Sequence, residues 1–310
     1  MPRDTIRIHT NHAAILRLAD RLWDRAPAGM RRGRRVPAGL AFTIDVRPVE
    51  DGGGPEPGEE RWTVGSDHVE LSLGRELHAR IELAGAHVAA RVSTRLVADQ
   101  PSLVARLLLE TPAAVLLARR GYGVLHAGAV VGSAGAVVIR GAAGAGKSTL
   151  VGAAYRAGLG VLGDETVLVA RSDPDDLLAA VRDLTLLPDA TRLLGLEDAV
   201  TAAGAGGEKR RLDLFRSSTP AVRRARRVAT VVLGPRHGGP ARLELLTPDA
   251  FLRGFQEGAI PQERWSGTPE HIAAHWAGRG AYRLSGAQDL AGAVDVLRGL
   301  VTLPAAVSHA

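Results

Sequence analysis

The chain has 310 residues, 45% hydrophobic and 23% charged, which excludes an intrinsically disordered protein and predicts a globular one with two domains. It has no cysteine, which excludes disulfide frameworks, thiolate zinc sites and cysteine nucleophiles. The net charge is +6, and arginine-rich runs occur at 31–35 and 223–227. Both runs lack interleaved aromatic residues, so we expect no nucleic-acid partner. We interpret them as solvated loops or helix faces, with docking of an acidic partner as the alternative.

The N-terminus gives no targeting signal. Its first residues lack a basic segment followed by an apolar run. No uninterrupted apolar stretch approaches the roughly 20 residues that cross a bilayer. We therefore expect a cytoplasmic protein with no membrane partner.

The first hundred residues predict a β-rich N-terminal module, 1–100. Apolar residues recur at helical spacing over 11–23, and a glycine- and proline-rich loop at 51–58 separates two of the strands that follow. The predicted strands, which show alternating patterns, are 41–46, 62–64, 69–73, 78–83 and 87–92. We expect them to form a small antiparallel sheet.

A helix over 101–120, with a kink at Pro112, marks the predicted boundary of a second domain, 101–310. Two strands follow it, at 123–131 and 135–140, joined by a hairpin turn at 132–134. The later predicted elements are a helix over 147–157, strands over 160–163, 166–170, 228–233 and 242–246, and helices over 248–258, 269–278 and 287–300. The fold class is therefore α/β with a mixed sheet.

The run 141–148, Gly-Ala-Ala-Gly-Ala-Gly-Lys-Ser, fits the G-x-x-x-x-G-K-[ST] pattern of a phosphate-binding loop. Glycines let the backbone turn its N–H groups toward phosphate oxygens, and the following helix adds its positive end. A buried strand before the run and a helix after it argue against a chance match. The predicted nucleotide-binding residues are Gly141, Gly144, Ala145, Gly146, Lys147, Ser148 and Thr149.

Two carboxylates, Asp164 and Glu165, end the next predicted strand, at the edge where α/β sheets bind ligands. One carboxylate can hold Mg²⁺ while the other accepts the proton of an attacking hydroxyl. The alternative is that both acids only terminate a strand and face water.

The order of Leu125-His126-Ala127-Gly128, a turn, a strand, the loop ending in Lys147-Ser148, one helix and Asp164-Glu165 resembles the catalytic domain of HPr kinase/phosphorylase. The match is close over 125–165 and loose over the rest of the second domain. The resemblance implies a P-loop kinase fold that binds ATP and Mg²⁺. It implies catalytic roles for Asp164 as general base, for His126 beside the transferred phosphate and for Lys147, with Ser148 and Glu165 on the metal.

The Arg-Gly-Leu/Ile-Gly signature that follows the acid pair in true HPr kinases is missing. The chain more closely resembles the shorter HPr-kinase-like proteins of natural-product clusters, including lasso-peptide tailoring kinases that phosphorylate a serine of a precursor peptide. A Gly-Glu-Lys segment follows the acid pair in those relatives, and here it falls at 207–211. Lys209 and Arg211 are then either phosphate contacts or solvated charges.

We therefore expect an ATP- and Mg²⁺-dependent kinase whose acceptor is a serine hydroxyl of a peptide or protein. Two alternatives stay open, a kinase for a small molecule such as a free amino acid and a nucleotide-binding regulator without activity. The formation of a homo-oligomer also stays open.

Overall fold

The structure, a computed structural model, describes residues 6–23, 40–48, 59–180, 183–202, 209–214, 222–235, 239–260, 263 and 269–302. The described residues form two compact units, one up to Arg120 and one from Gly121 onward. The units divide after Arg120, whereas we expected the boundary at 100/101, because the helices that follow Pro101 pack on helices of the first unit.

The first unit contains a six-stranded sheet in the order β1-β2-β6-β5-β4-β3. Its strands are β1 Arg7–Thr10, β2 Ala41–Arg47, β3 Glu60–Val64, β4 His68–Leu73, β5 Leu77–Glu82 and β6 His87–Ser93. The five predicted strands are present, and β1 is an addition. The predicted antiparallel arrangement is wrong for one half of the sheet, because β1, β2 and β6 run parallel. The predicted loop at 51–58 and the arginine run at 31–35 lie outside the described residues.

The helices of the first unit are α1 Ala13–Trp23, α2 Thr94–Asp99, α3 Pro101–Ala105 and α4 Thr111–Arg119, with a π-helical turn, Arg106–Glu110, between the last two. Pro112 lies in the first turn of α4, where a missing N–H leaves no helical hydrogen bond unmade. Within the described part of the chain, Pro101–Arg119 is the one helical stretch long and apolar enough to cross a membrane. Because 61% of its most apolar window is buried inside the protein, it has the pattern of a core helix in a soluble protein.

The second unit contains a nine-stranded mixed sheet and a small three-stranded sheet, so the predicted α/β class is confirmed. The large sheet has the order β10-β8-β9-β16-β12-β11-β7, with β18 between β16 and β17. Its strands are β7 Tyr122–Leu125, β8 Gly128–Gly132, β9 Gly135–Arg140, β10 Gly160–Gly163, β11 Val167–Ala170, β12 Asp173–Ala179, β16 Arg224–Leu233, β17 Arg242–Leu245 and β18 Ala281–Ser285. The small sheet, in the order β13-β15-β14, consists of β13 Asp183–Leu186, β14 Thr201–Ala202 and β15 Arg210–Asp213.

The large sheet is covered on both faces, which explains why its central strand β9 is apolar up to Ile139. Val137 and Ile139 point into one core, while Ala136 and Val138 point into the other. The first core is closed by helices α5 Lys147–Arg156, α6 Pro188–Leu193 and α9 Leu290–Thr302, and the second by α7 Pro248–Glu257 and α8 Pro269–Trp276. Strands buried on both faces are typically continuous apolar runs.

Two predictions in this unit need correction. The predicted strand 123–131 is two strands, β7 and β8, which break at His126 and lie far apart in the sheet. The arginine run 223–227 is not a loop or helix face, because it leads into β16 and pairs with acids of β12. The pairs are Arg224 with Asp176, Arg226 with Asp173 and Arg227 with Asp175.

Candidate functional site

The glycine-rich loop, residues 141–148, joins the end of β9 to the start of α5. Gly144 and Gly146 have φ values of 75° and 99°, in the left-handed region that favours glycine. Gly146 is the N-cap residue of α5, which begins at Lys147. The first N–H groups of a helix have no partner within the helix, so the turn of the loop and the start of α5 together form a place where an anion can bind.

Lys147 is buried, and its ammonium group lies over the loop. Its Nζ atom donates to the carbonyl oxygens of Gly141, at 2.8 Å, and Ala142, at 3.2 Å. Burial lowers the pKa of Lys147, and the neighbouring Arg140 lowers it further. A desolvated cation held in this way interacts strongly with an anion that enters the loop.

Asp164 follows β10 and is only 1% exposed. The Thr185 N–H group donates to its Oδ2 atom at 2.9 Å, and the Ser148 side chain lies beside the carboxyl. The Oδ1 atom is buried without a hydrogen-bond partner among the described residues. Burial and then the charge of Glu165 raise the pKa of Asp164 to about 8. The carboxyl therefore has one oxygen in place for a further ligand or proton.

Glu165 differs from Asp164 in its surroundings. Its Oε1 atom lies 2.5 Å from the Lys209 Nζ atom, and both side chains are partly exposed. Lys209, for which a phosphate contact and a solvated charge were both expected, thus has its ammonium group at the Glu165 carboxylate. Arg211 instead lies 3.7 Å from Asp183, on the small sheet.

His126 lies between β7 and β8 and faces the same acids. Its Nδ1 atom is 2.9 Å from the Glu165 carbonyl oxygen, which can only accept, so Nδ1 carries the proton in this contact. Burial and then the charge of Lys147 lower the pKa of His126. The ring is therefore neutral near pH 7, and its Nε2 atom is a hydrogen-bond acceptor.

Sequence reasoning missed a buried ion pair directly beneath the loop. Arg140 and Glu263 are both 0% exposed, with the Arg140 Nη1 atom 2.7 Å from the Glu263 Oε1 atom. Arg140 could have been noticed, because it is a charged residue that ends an apolar strand just before the loop. Glu263 lies far along the chain, and no motif marks it.

The predicted site residues come together in one place, with Arg211 on β15 paired in register with Thr185, the residue whose N–H group bonds to Asp164. Ala145 lies in the turn of the loop, where its N–H group donates to the Ala142 carbonyl oxygen at 3.1 Å. Thr149 lies in the first turn of α5. No group of three or more His, Asp or Glu side chains that could hold a metal ion is found within the described ranges. The Ser148 hydroxyl and one of the two carboxyls, Asp164 or Glu165, nevertheless suit Mg²⁺, which keeps several water or phosphate ligands and needs only one or two from the protein.

The geometry combines an anion-binding loop, a buried lysine, two carboxyls and a neutral imidazole. Comparison with models of known protein families gave no match, and comparison with curated protein sequences gave none either. The function is therefore inferred from the chemistry of the site.

Proposed function

We propose that the second unit is an ATP-dependent kinase of the HPr kinase type, which transfers the γ-phosphoryl group to a serine hydroxyl of a peptide or protein. The observation that carries this proposal is the convergence of Lys147, Ser148 and Asp164 at the end of the glycine-rich loop. Phosphoryl transfer requires a cation, a hydroxyl and a carboxyl close together. Here the loop and the start of α5 provide the first two, and the end of β10 provides the carboxyl.

The loop binds the nucleotide phosphates through the N–H groups of Gly144, Gly146 and Lys147. The Lys147 ammonium exchanges the carbonyl oxygens of Gly141 and Ala142 for the β- and γ-phosphates. Ser148 and Glu165 would hold Mg²⁺, which would supply positive charge against the charge that develops on the transferred group.

Asp164 is the general base in this proposal. Because the pKa of Asp164 is raised to about 8, its carboxyl must first lose its own proton, and the resulting carboxylate is then a strong enough base to accept a seryl proton near neutral pH. As the seryl oxygen bonds to the γ-phosphorus, the bond from that phosphorus to the bridging oxygen of ADP breaks, and the seryl proton passes to the Asp164 carboxylate. The neutral His126 ring lies beside the transferred group in this proposal, and Lys209 adds positive charge near Glu165.

The choice of acceptor rests on the resemblance to peptide-tailoring kinases, so the experiment compares acceptor classes. Purified protein is incubated with γ-labelled ATP, Mg²⁺ and, in turn, a panel of serine-containing peptides, free serine and no acceptor. We expect label on a peptide serine. Label on free serine would identify a small-molecule kinase. Nucleotide binding without transfer to any acceptor would favour a regulator.

Binding is tested separately from transfer. ATP with Mg²⁺ is expected to raise the melting temperature of the wild-type protein but not of Lys147→Met. Arg156→Met is the matched control, because Arg156 is an exposed cation at the other end of α5. If ATP stabilises Lys147→Met as well as the wild type, the loop is not the nucleotide site.

A further inference from the structure

The buried pair of Arg140 and Glu263 is costly if stability is its only role. Both side chains are fully buried, and the contact is bidentate, with the Arg140 Nη2 atom 3.2 Å from the Glu263 Oε2 atom. Removing two charges from water usually costs as much as their mutual attraction returns, and apolar replacements are often neutral or stabilising. The hydrogen bonds that the pair makes to the main chain of His126 indicate a role in positioning that residue.

The pair holds the main chain of His126 on both sides. The His126 N–H group donates to the Glu263 carboxylate, and the Arg140 Nη1 atom donates to the His126 carbonyl oxygen at 2.9 Å. His126 lies in the gap where β7 ends and β8 begins, so no sheet ladder fixes it. Two side chains therefore supply the hydrogen bonds that a neighbouring strand would otherwise make.

The same pair is tied to the start of the glycine-rich loop. Arg140 directly precedes Gly141, stacks over the Phe255 ring at 4.2 Å and donates to the Phe255 carbonyl oxygen at 2.8 Å. Three residues after Phe255, Gly258 approaches the loop so closely that a Cβ there would lie 2.9 Å from the Gly141 carbonyl oxygen. The end of α7 and Glu263 thus join the loop and His126 in one packed unit.

We propose that Arg140 and Glu263 are positioning residues, which hold the main chain of His126 so that its Nδ1–H donates to the Glu165 carbonyl oxygen and its neutral ring lies beside the transferred phosphoryl group. The inference rests on the proposed function of the same site and adds the residues that orient its imidazole. Neither residue touches the reacting atoms. Both act through His126.

The test uses the double variant Arg140→Met with Glu263→Met, which replaces the pair by apolar side chains. We expect each single change to lower the melting temperature, because it leaves a buried charge unpaired, and the double change to restore much of the loss. The double variant should nevertheless keep its KM for ATP while its kcat falls by about 10- to 100-fold, the usual loss when a supporting residue is removed. Recovery of wild-type kcat together with stability would overturn the proposal.

A readout that does not depend on activity separates this inference from the proposed kinase function. In ¹⁵N-labelled wild-type protein, the imidazole nitrogen shifts of His126 should show the Nδ1–H tautomer alone, whereas the double variant should show a mixture of tautomers. If the wild type transfers no phosphoryl group, this spectrum still tests the positioning role. An unchanged single tautomer in the folded double variant would contradict it.

Two further variants guard against misfolding and general destabilisation. Glu263→Asp keeps a negative charge for Arg140 but is too short to reach the His126 N–H group, so it should give the same mixture of tautomers. Arg227→Met is the matched control, since Arg227 is also buried, stacks over Trp276 at 5.0 Å and pairs with Asp175. It should lower stability and leave the His126 tautomer unchanged, and a tautomer change in this control would overturn the proposal.

Discussion

Asp164 illustrates how a residue can be unfavourable for stability and useful for chemistry. It is almost completely buried, yet one of its two oxygens has no hydrogen-bond partner within the described residues. An unsatisfied buried polar atom destabilises a fold and needs a functional explanation. In the proposed function, the explanation is that the unpartnered oxygen of Asp164 accepts the proton of the attacking hydroxyl.

Replacement of Asp164 by Asn should therefore change the pH dependence of stability. A carboxyl whose pKa rises from 3.8 to about 8 on folding binds its proton more tightly in the folded state, so rising pH between these values favours the unfolded state. We expect the free energy of unfolding of the wild type, measured with urea in metal-free buffer, to fall relative to Asp164→Asn between pH 5 and pH 8, by at most about 1.4 kcal/mol per pH unit.

The control for this experiment is Asp189→Asn, which removes an exposed carboxyl from α6. Parallel pH profiles for the wild type and Asp164→Asn would show that Asp164 is not held protonated in the fold. Such a result would also weaken its role as a base near neutral pH.

The two acids are expected to respond differently to Mg²⁺. If Glu165 is the metal-side acid, Glu165→Gln should raise the Mg²⁺ concentration for half-maximal rate by about 10-fold or more while keeping most of the rate at saturation. Asp164→Asn should abolish transfer at any Mg²⁺ concentration. Lys209→Met is the control, because it removes the ion-pair partner of Glu165 but leaves the carboxylate in place. It should leave the Mg²⁺ concentration for half-maximal rate closer to the wild-type value than Glu165→Gln does.

The opposite pattern would exchange the two roles. Ser148 lies beside Asp164. An increased Mg²⁺ requirement for Asp164→Asn, with loss of rate confined to Glu165→Gln, would therefore make Asp164 the metal-side acid.

At the scale of elements, the site depends on the close packing of the end of α7 against the glycine-rich loop. Gly258 has an ordinary φ of −86°, so alanine is allowed there by its backbone but not by its neighbours. Gly258→Ala should push Gly141 aside, and overpacking of this kind costs about 1–3 kcal/mol. We expect weaker ATP binding, by about tenfold, in a titration of the purified protein.

Gly299→Ala is the control for added volume on a helix. A Cβ there meets nothing within 4 Å, and glycine in the middle of α9 is unfavourable, so this variant should be more stable by about 0.5–1 kcal/mol. Unchanged ATP affinity in Gly258→Ala would show that the loop tolerates the contact.

Regular periodicity made most elements predictable from sequence. The helices around α5 and α7 and the strands β2 to β6 have strong local patterns, and the structure confirms them within a few residues. The break at His126 was not predictable, because the sequence there is apolar on both sides and the hydrogen bonds that replace the ladder come from Arg140 and Glu263. Strand β12 was missed because its Asp-Pro-Asp-Asp run has the composition of a turn, although the arginines of β16 pair with those acids.

The residues of the candidate site divide in the same way, into those marked by a local sequence motif and those brought in by the tertiary fold. Lys147, Ser148 and Asp164 belong to short motifs whose spacing encodes a local strand, loop and helix. Glu263 and Thr185 reach the site only through the tertiary fold, and their contribution could not be seen in the order of the residues.

At the scale of the whole molecule, the candidate site lies within one compact unit. The loop, both acids, His126 and the Arg140 pair all belong to the unit that begins at Gly121. The β-sheet unit before it supplies none of the described residues that carry the proposed chemistry. A role of the first unit is therefore tested by measuring substrate choice with both units present.

The most direct test of the proposed kinase compares binding and transfer in three proteins. With labelled ATP, Mg²⁺ and a peptide acceptor in single-turnover conditions, we predict transfer to serine by the wild type, binding without transfer by Asp164→Asn, and neither by Lys147→Met. Transfer by Asp164→Asn at the wild-type rate, or ATP bound by the wild type with no phosphoryl transfer to any hydroxyl, would contradict the account.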